Sequence, residues 1–263
     1  KLYLNLKNNY SSSDEGKIGG IFNKNLFKKS VIQNTNSLNL KGGDDSQKKT
    51  SDGPISKWGT EITLDELSYM LSKEDHQLFK DKNYESAYTF GTLTKEGLYD
   101  ILLKSKEYNK TLKSPTFLDI GSGDGRVVIW AIEQGIKRSL GVELSRTRYD
   151  LSLEYKKRLK EDIKNRIEFY NDDILNFDIK NNNIDIIYIS SLCMPKHLVQ
   201  KITEKLSKET KKGTIIFSTS PLIKEITHKA IPIVKDNNLE YVGDIDVQQS
   251  WKKKSNLNIY KTY

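Results

Sequence analysis

The run from Phe117 to Ile132, FLDIGSGDGRVVIWAI, constrains the fold of this chain more than any other stretch. Apolar residues interrupted by one acid lead into glycines at 121, 123 and 125, after which apolar residues return at helical spacing. That order reads as strand, tight turn and helix. Glycine lets the backbone turn where a Cβ would be excluded and approach a ligand closely, and the start of the following helix presents free N–H groups. The turn therefore suits a ligand with a nucleotide-like or carboxylate end.

The spacing narrows the ligand. A dinucleotide fingerprint has glycine at its first, third and sixth positions, and the sixth position here is Arg126. The pattern is instead Asp119-x-Gly121-x-Gly123-x-Gly125. Downstream, the run Ser139-Leu-Gly-Val ends in Glu143, where an acid at the tip of the second strand would meet a ribose. The glycine motif resembles the first motif of the Rossmann-like, class I S-adenosylmethionine-dependent methyltransferases. The resemblance implies S-adenosyl-L-methionine as cofactor, with Asp119, Gly121, Gly123 and Asp124 around its methionine end.

At 263 residues with 36% hydrophobic content, the chain can hold one domain of ordinary size plus an appendage. A net charge of +8 and a pI near 9.2 favour an acidic partner such as nucleic acid or a nucleic-acid-bound protein. The single cysteine, Cys193, excludes an internal disulfide framework and fits a reducing, intracellular compartment. No apolar run approaches the ~20 residues of a membrane helix, so a soluble protein is expected. His76, His197 and His228 show no metal-ligand spacing. The chain begins at Lys1, which is compatible with a processed targeting segment and, in that case, a mitochondrial location.

Three regions are expected. Residues 1–57, rich in Asn, Lys, Ser and Gly, read as an extended or disordered arm that lies along a partner or on its own domain. Residues 58–110 form a helical lid segment. It opens with a capping box at Thr63 to Glu66, continues through Phe79 and the aromatic-glycine stretch Tyr84 to Leu93, and closes with a helix capped by Thr94 and running to Lys106. Residues 111–263 form the methyltransferase domain. Strands are expected at 138–143, 167–170, 184–189 and 214–218. A long helix should span 147–163, and another should begin at Pro195 and end near Gly213. This alternation implies a parallel, doubly wound α/β sheet. The strands at 239–247 and 257–260 would close it as an antiparallel hairpin around a polar tip, 248–256. Seven strands with helices on both faces are what the methyltransferase resemblance implies.

Ligands of such sheets bind at the carboxyl ends of the strands. After the third strand, Asp173 and Ile174 resemble the acid and apolar pair that meets adenine. After the fourth comes Ser190-Ser-Leu-Cys-Met-Pro195. The Asn/Asp-Pro-Pro-aromatic signature of enzymes that methylate base amines is missing there, and so is the Pro-Cys context of a cytosine methyltransferase. Cys193 reads as a small buried hydrophobe.

From Tyr84 to Tyr260 the chain resembles a narrower family, the disruptor-of-telomeric-silencing histone lysine methyltransferases, which lack a SET domain. The shared elements are Phe90-Gly91, Asp-Ile-Gly-Ser-Gly-Asp-Gly, Gly141-Val-Glu143, Ser190-Ser191-Leu192, and Ser250-Trp251 ahead of a strand containing Tyr260. The resemblance adds Tyr88, Phe90, Gly91 and Ser190 to the cofactor site and builds an acceptor channel from Ser190, Leu192, Trp251 and Tyr260. Two positions depart. The family's Tyr-Gly-Glu is Phe90-Gly91-Thr92, without the acid that holds the cofactor's amino group, and its double Asn is Ser190-Ser191.

Methylating a lysine requires the neutral amine, which costs about 4.6 kcal/mol at pH 7 for a group of pKa ~10.4. An apolar aromatic channel lowers that cost, and no general base is then required. The expected activity is thus protein lysine N-methylation, on a nucleosomal or nucleic-acid-associated substrate and in the nucleus if the histone resemblance carries function. Two other readings stand beside it. One is a methyltransferase fold serving as a structural subunit of a ribonucleoprotein or mitochondrial assembly held by the arm; the other is an RNA methyltransferase. Lys252 to Lys254, and Lys211 with Lys212, are placed to meet an acidic partner.

Overall fold

The computed structural model describes residues 71–89, 91–222 and 238–263. The chain divides into two units, 1–63 and 64–263, and every described residue belongs to the second. The arm at 1–57, the capping box at Thr63, Phe90 and His228 lie outside the described residues.

In chain order the described elements are α1 (Lys73–Asp81), a 3₁₀ turn (Glu85–Tyr88), α2 (Lys95–Tyr108), β1 (Thr116–Ile120), α3 (Arg126–Glu133) and β2 (Arg138–Glu143). There follow α4 (Arg146–Lys157), α5 (Glu161–Lys164), β3 (Ile167–Asn171), β4 (Ile186–Ile189), α6 (Lys196–Glu209), β5 (Ile215–Ser218), β6 (Leu239–Gln249) and β7 (Lys252–Thr262). The strands form one seven-stranded sheet in the order β3-β2-β1-β4-β5-β7-β6. The first five are parallel, and β7 and β6 close the sheet antiparallel, as the sequence implies.

The parallel strands are covered on both faces, which is why they read as nearly continuous apolar runs. Leu118, Leu140, Ile187 and Ile216 pack on one face with Leu198, Ile202 and Leu206 of α6. Phe117, Ile186, Ile215 and Phe217 pack on the other with Val128 and Ile132 of α3 and Leu98 and Ile101 of α2. The helix starts follow local chemistry: Thr94 Oγ1 accepts from Gly97 N–H at 3.1 Å, and Ser145 Oγ from Arg148 N–H at 3.1 Å.

Several boundaries differ from expectation. The long helix breaks at Arg158, where N–H groups of Arg158 and Leu159 donate to carbonyls only three residues back. That tightening brings Leu159 and Ile163 against the same core. Pro195 is the N-cap of α6 rather than part of its first turn, and α6 ends at Glu209. The polar stretch at 248–256 is mostly strand. Only Ser250 and Trp251 turn the hairpin, because Ser250 is tied to Thr92 and Asn256 Nδ2 donates across the ladder to Asp244 at 2.6 Å. Within the segment assigned to a lid, α2 instead belongs to a sheet layer: it packs against β6, α3 and β5 and buries Leu98, Ile101 and Leu102.

Candidate active site

At the carboxyl ends of β1, β2, β3 and β4 lies a cleft of about 720 Å³, its open mouth included. The glycine loop forms its floor. Gly121 and Ser122 N–H donate to the Val142 carbonyl at 2.9 and 3.1 Å, which draws the turn onto β2. Gly121, at φ +75°, lines the cleft, and Gly125, at φ +80°, is a position where a Cβ would fall 2.5 Å from Phe169. Both conformations are in the left-handed region that glycine alone adopts readily.

Glu143 stands at the tip of β2 and lines the cleft, as predicted. Its carboxylate accepts from Gly123 N–H and from Ser145 N–H, each at 2.8 Å, so it couples the glycine loop to the start of α4. Burial raises its proton affinity, while Arg148 and the two N–H donors oppose that. Arg148, itself buried, also lines the cleft and donates to the Tyr88 carbonyl at 2.6 Å. The carboxylate of Asp75, reaching from α1, accepts from Ser145 Oγ at 2.8 Å and from the N–H groups of Arg146 (2.8 Å) and Thr147 (3.1 Å). It caps α4 and so fixes the strand-to-helix corner from which Glu143 and Arg148 project.

The other acids of the glycine motif do not line the cleft. Asp119 is buried beside Gly141 and Tyr188 in the sheet register, and burial, followed by Glu143 and Asp124, pushes its pKa well up. Asp124 turns to Arg126, whose Nε is 2.9 Å from Oδ2. Gly123 touches the site only through its bond to Glu143.

Asp173 and Ile174 line the cleft at the end of β3. Asp173 already has two donors: Leu175 N–H at 3.0 Å and Lys82 Nζ at 2.9 Å. The bond to Asp173 raises the Lys82 pKa against the effect of burial. Phe79 and Tyr84, brought in by α1 and the turn after it, wall the same end with Leu198 of α6. The Tyr84 ring lies 5.8 Å from that of His197.

The chain after β4 divides by residue. Ser190, Cys193 and Met194 line the cleft, and Cys193 is half-buried rather than a core residue. Ser191 is buried and bonds Ser218 Oγ at 2.8 Å, turned to β5. Leu192 is 58% exposed, its N–H donating to Thr219 Oγ1. Tyr260, expected in an acceptor channel, is a correction: it is fully buried, pairs with Ile216, and its hydroxyl accepts from Leu222 N–H at 3.0 Å. Its position on β7 turns it into the core formed with α6, because register parity assigns the face.

Trp251, 43% exposed at the hairpin tip, stacks against Gly91, which lines the cleft; a Cβ there would meet the indole at 2.3 Å. Thr92 and Ser250 exchange two further bonds, Thr92 N–H to Ser250 Oγ (3.1 Å) and Ser250 N–H to Thr92 O (2.9 Å). Tyr88 does not line the cleft. It stands behind the wall, hydroxyl on the His76 carbonyl and ring against Phe79. Lys211 is occupied within the fold, 2.6 Å from Asp185.

The structure therefore gathers Gly91, Gly121, Glu143, Asp173, Ile174 and Ser190, and adds Arg148, Tyr84, Phe79 and Met194. Arg148 has one sequence signal, as the second of two arginines (Arg146 and Arg148) within five residues of the predicted strand-tip acid; the others depend on long-range packing.

Residues 119–229 match the family model described as the ANTKMT methyltransferase domain. No curated protein sequence matches the chain. Among solved structures, the chain is similar to an RNA methyltransferase from Salinibacter ruber in complex with S-adenosyl-L-homocysteine, at 17% identity over 62% of this chain and 90% of that one, with a TM-score of 0.44. It is similar to a glycopeptide N-methyltransferase complexed with S-adenosyl-L-methionine, at 11% identity over 61% and 86% of the two chains and a TM-score of 0.44. A SAM-dependent methyltransferase from Thiobacillus denitrificans is similar at 18% identity over 48% of each chain, TM-score 0.37.

Proposed function

We propose that the acceptor of this class I S-adenosylmethionine-dependent methyltransferase is the ε-amine of a lysine in a protein. Its sheet is the Rossmann-like methyltransferase fold and its cofactor is S-adenosylmethionine. The residues present fit that cofactor: Gly121 adopts a left-handed turn at the cleft floor, and an acid stands at the tip of β2. An acid-apolar pair follows β3. Glu143 and Asp173 would hold the polar groups of the nucleoside, with Ile174, Phe79 and Tyr84 around its base. When bound, the cofactor supplies an electrophilic methyl group on a sulfonium.

The observation that carries the lysine reading is the wall after β4. Ser190, Cys193 and Met194 line it, facing Thr89 and Gly91 of the segment ahead of β1 with the Trp251 ring behind Gly91; none of these is an ionised side chain, the acids of the cleft (Glu143, Asp172 and Asp173) standing at the ends of β2 and β3. Such a wall disfavours an ammonium and favours the neutral amine that attack requires. Ser190 lines that wall and would offer its hydroxyl to the amine. The acceptor's proton leaves to solvent through the open mouth, with no side chain assigned as base.

The test is incubation of the full chain with methyl-labelled S-adenosylmethionine and a cell extract, followed by nuclease treatment and mass spectrometry. Label in methyl-lysine is the expected result. Label that disappears with the nuclease would establish RNA as the acceptor and refute the lysine reading.

A further inference from the structure

We infer that the β6–β7 hairpin tip is a docking surface for an acidic peptide segment flanking the acceptor lysine; this deepens the lysine reading and rests on it. Four observations place it. The tip is fastened to the cleft wall by the Thr92–Ser250 bonds and by the Leu93–Gln249 bridge. Trp251, on that tip, backs Gly91 and still leaves 43% of its surface exposed. Lys252, Lys253 and Lys254 follow immediately, all exposed, and no ion pair is recorded for any of them among the described residues. Leu192, 58% exposed, lies on the segment that follows β4 at the same strand ends.

The tip thus offers one aromatic ring followed by three exposed cations that have no ion pair among the described residues, and it is fastened to the cleft wall. Lys211, by contrast, is neutralised within the fold by Asp185, 2.6 Å away. The tip lysines are three consecutive exposed cations next to an exposed indole, and such a run is complementary to carboxylates next to an apolar residue. A β-strand alternates its side chains, so Lys252 and Lys254 project to one face and Lys253 to the other. A segment crossing the tip can therefore meet charge on either side.

The probes are two dye-labelled synthetic peptides with one central lysine and one leucine, flanked by glutamates in one and serines in the other. Binding to the full chain with S-adenosylhomocysteine present is read by fluorescence anisotropy. We expect the glutamate peptide to bind about tenfold tighter at low salt, and the advantage to vanish at about 0.5 M salt, where charges are screened within a few ångström. Lys252→Gln/Lys253→Gln/Lys254→Gln should abolish the preference and leave the melting temperature and S-adenosylhomocysteine affinity unchanged. The corresponding triple Glu variant should invert it. Equal binding of the two peptides, or a preference that survives the Gln variant, overturns the proposal. So does a single-stranded RNA oligonucleotide that outcompetes the glutamate peptide and loses binding in the Gln variant. Methylation of the same peptides is scored separately: a charge preference in binding without methylation of either peptide refutes the lysine reading and leaves the surface standing.

Discussion

The indole of Trp251 fills the space that a side chain on Gly91 would need, with a built Cβ 2.3 Å from Cζ3 and 2.5 Å from Cε3 of the ring. The hairpin and the segment ahead of β1, 160 residues apart in sequence, thereby share one packed contact at the edge of the cleft.

Gly91→Ala must push the indole aside. Overpacking of this kind costs about 1–3 kcal/mol, read as a lower urea midpoint at unchanged m-value. In a Trp251→Ala background the same substitution should cost less than about 0.5 kcal/mol, because the double-mutant cycle removes the clash. An equal penalty in both backgrounds would show that Gly91 is needed for another reason.

Glu143→Gln retains the shape of the side chain but places an amide NH₂ against backbone N–H donors. Losing charge-assisted bonds of about 1.5–3 kcal/mol should weaken S-adenosylmethionine binding by roughly ten- to a hundredfold, measured by calorimetry. Wild-type affinity in this variant would remove Glu143 from the site.

Asp119 gives a pH signature. Its pKa is pushed well above the ordinary 3.8 by burial, so the folded chain holds the proton to higher pH than the unfolded chain does. As pH rises from about 3.8 the unfolded state releases its proton first, and unfolding free energy falls until the folded state releases its own. Asp119→Asn should flatten that decline in urea titrations across the acid range and leave the protein at least as stable at neutral pH. A steeper decline would reverse the assignment.

Asp75→Ala leaves three donors at the start of α4 without their acceptor. A lost cap of this sort costs about 0.5–2 kcal/mol. Hydrogen exchange at Arg146 and Thr147 should accelerate and cofactor affinity should fall, because the corner that holds Glu143 and Arg148 loosens. Unchanged exchange there would contradict the capping role.

What the sequence made legible was local. The strand Arg138–Glu143 and the cap at Thr94 follow from side-chain periodicity and one hydrogen-bonding residue, and the glycine floor follows from positions where a Cβ is excluded. Glu143, Asp173, Ile174 and Ser190 were legible because strand tips converge in any open parallel sheet, and Gly91 through the family resemblance alone. Asp75, Lys82 and Tyr84 were not, since each acquires its role from a partner or wall dozens of residues away. Asp75 meets Ser145, and Lys82 meets Asp173. Tyr260 was misplaced for a related reason: the residue count to the final strand was readable, but the face was set by pairing with β5 and by bulges at Tyr241/Gly243 and Val247/Gln249.

The fastening of Thr92 to Ser250 has a consequence for biogenesis. During synthesis the glycine turn and the tip of β2 emerge long before residue 250, yet the Thr92 flank of the pocket is fastened by that late hairpin. A nascent chain would thus be expected to remain unable to retain the nucleoside until β7 has been released and paired with β5.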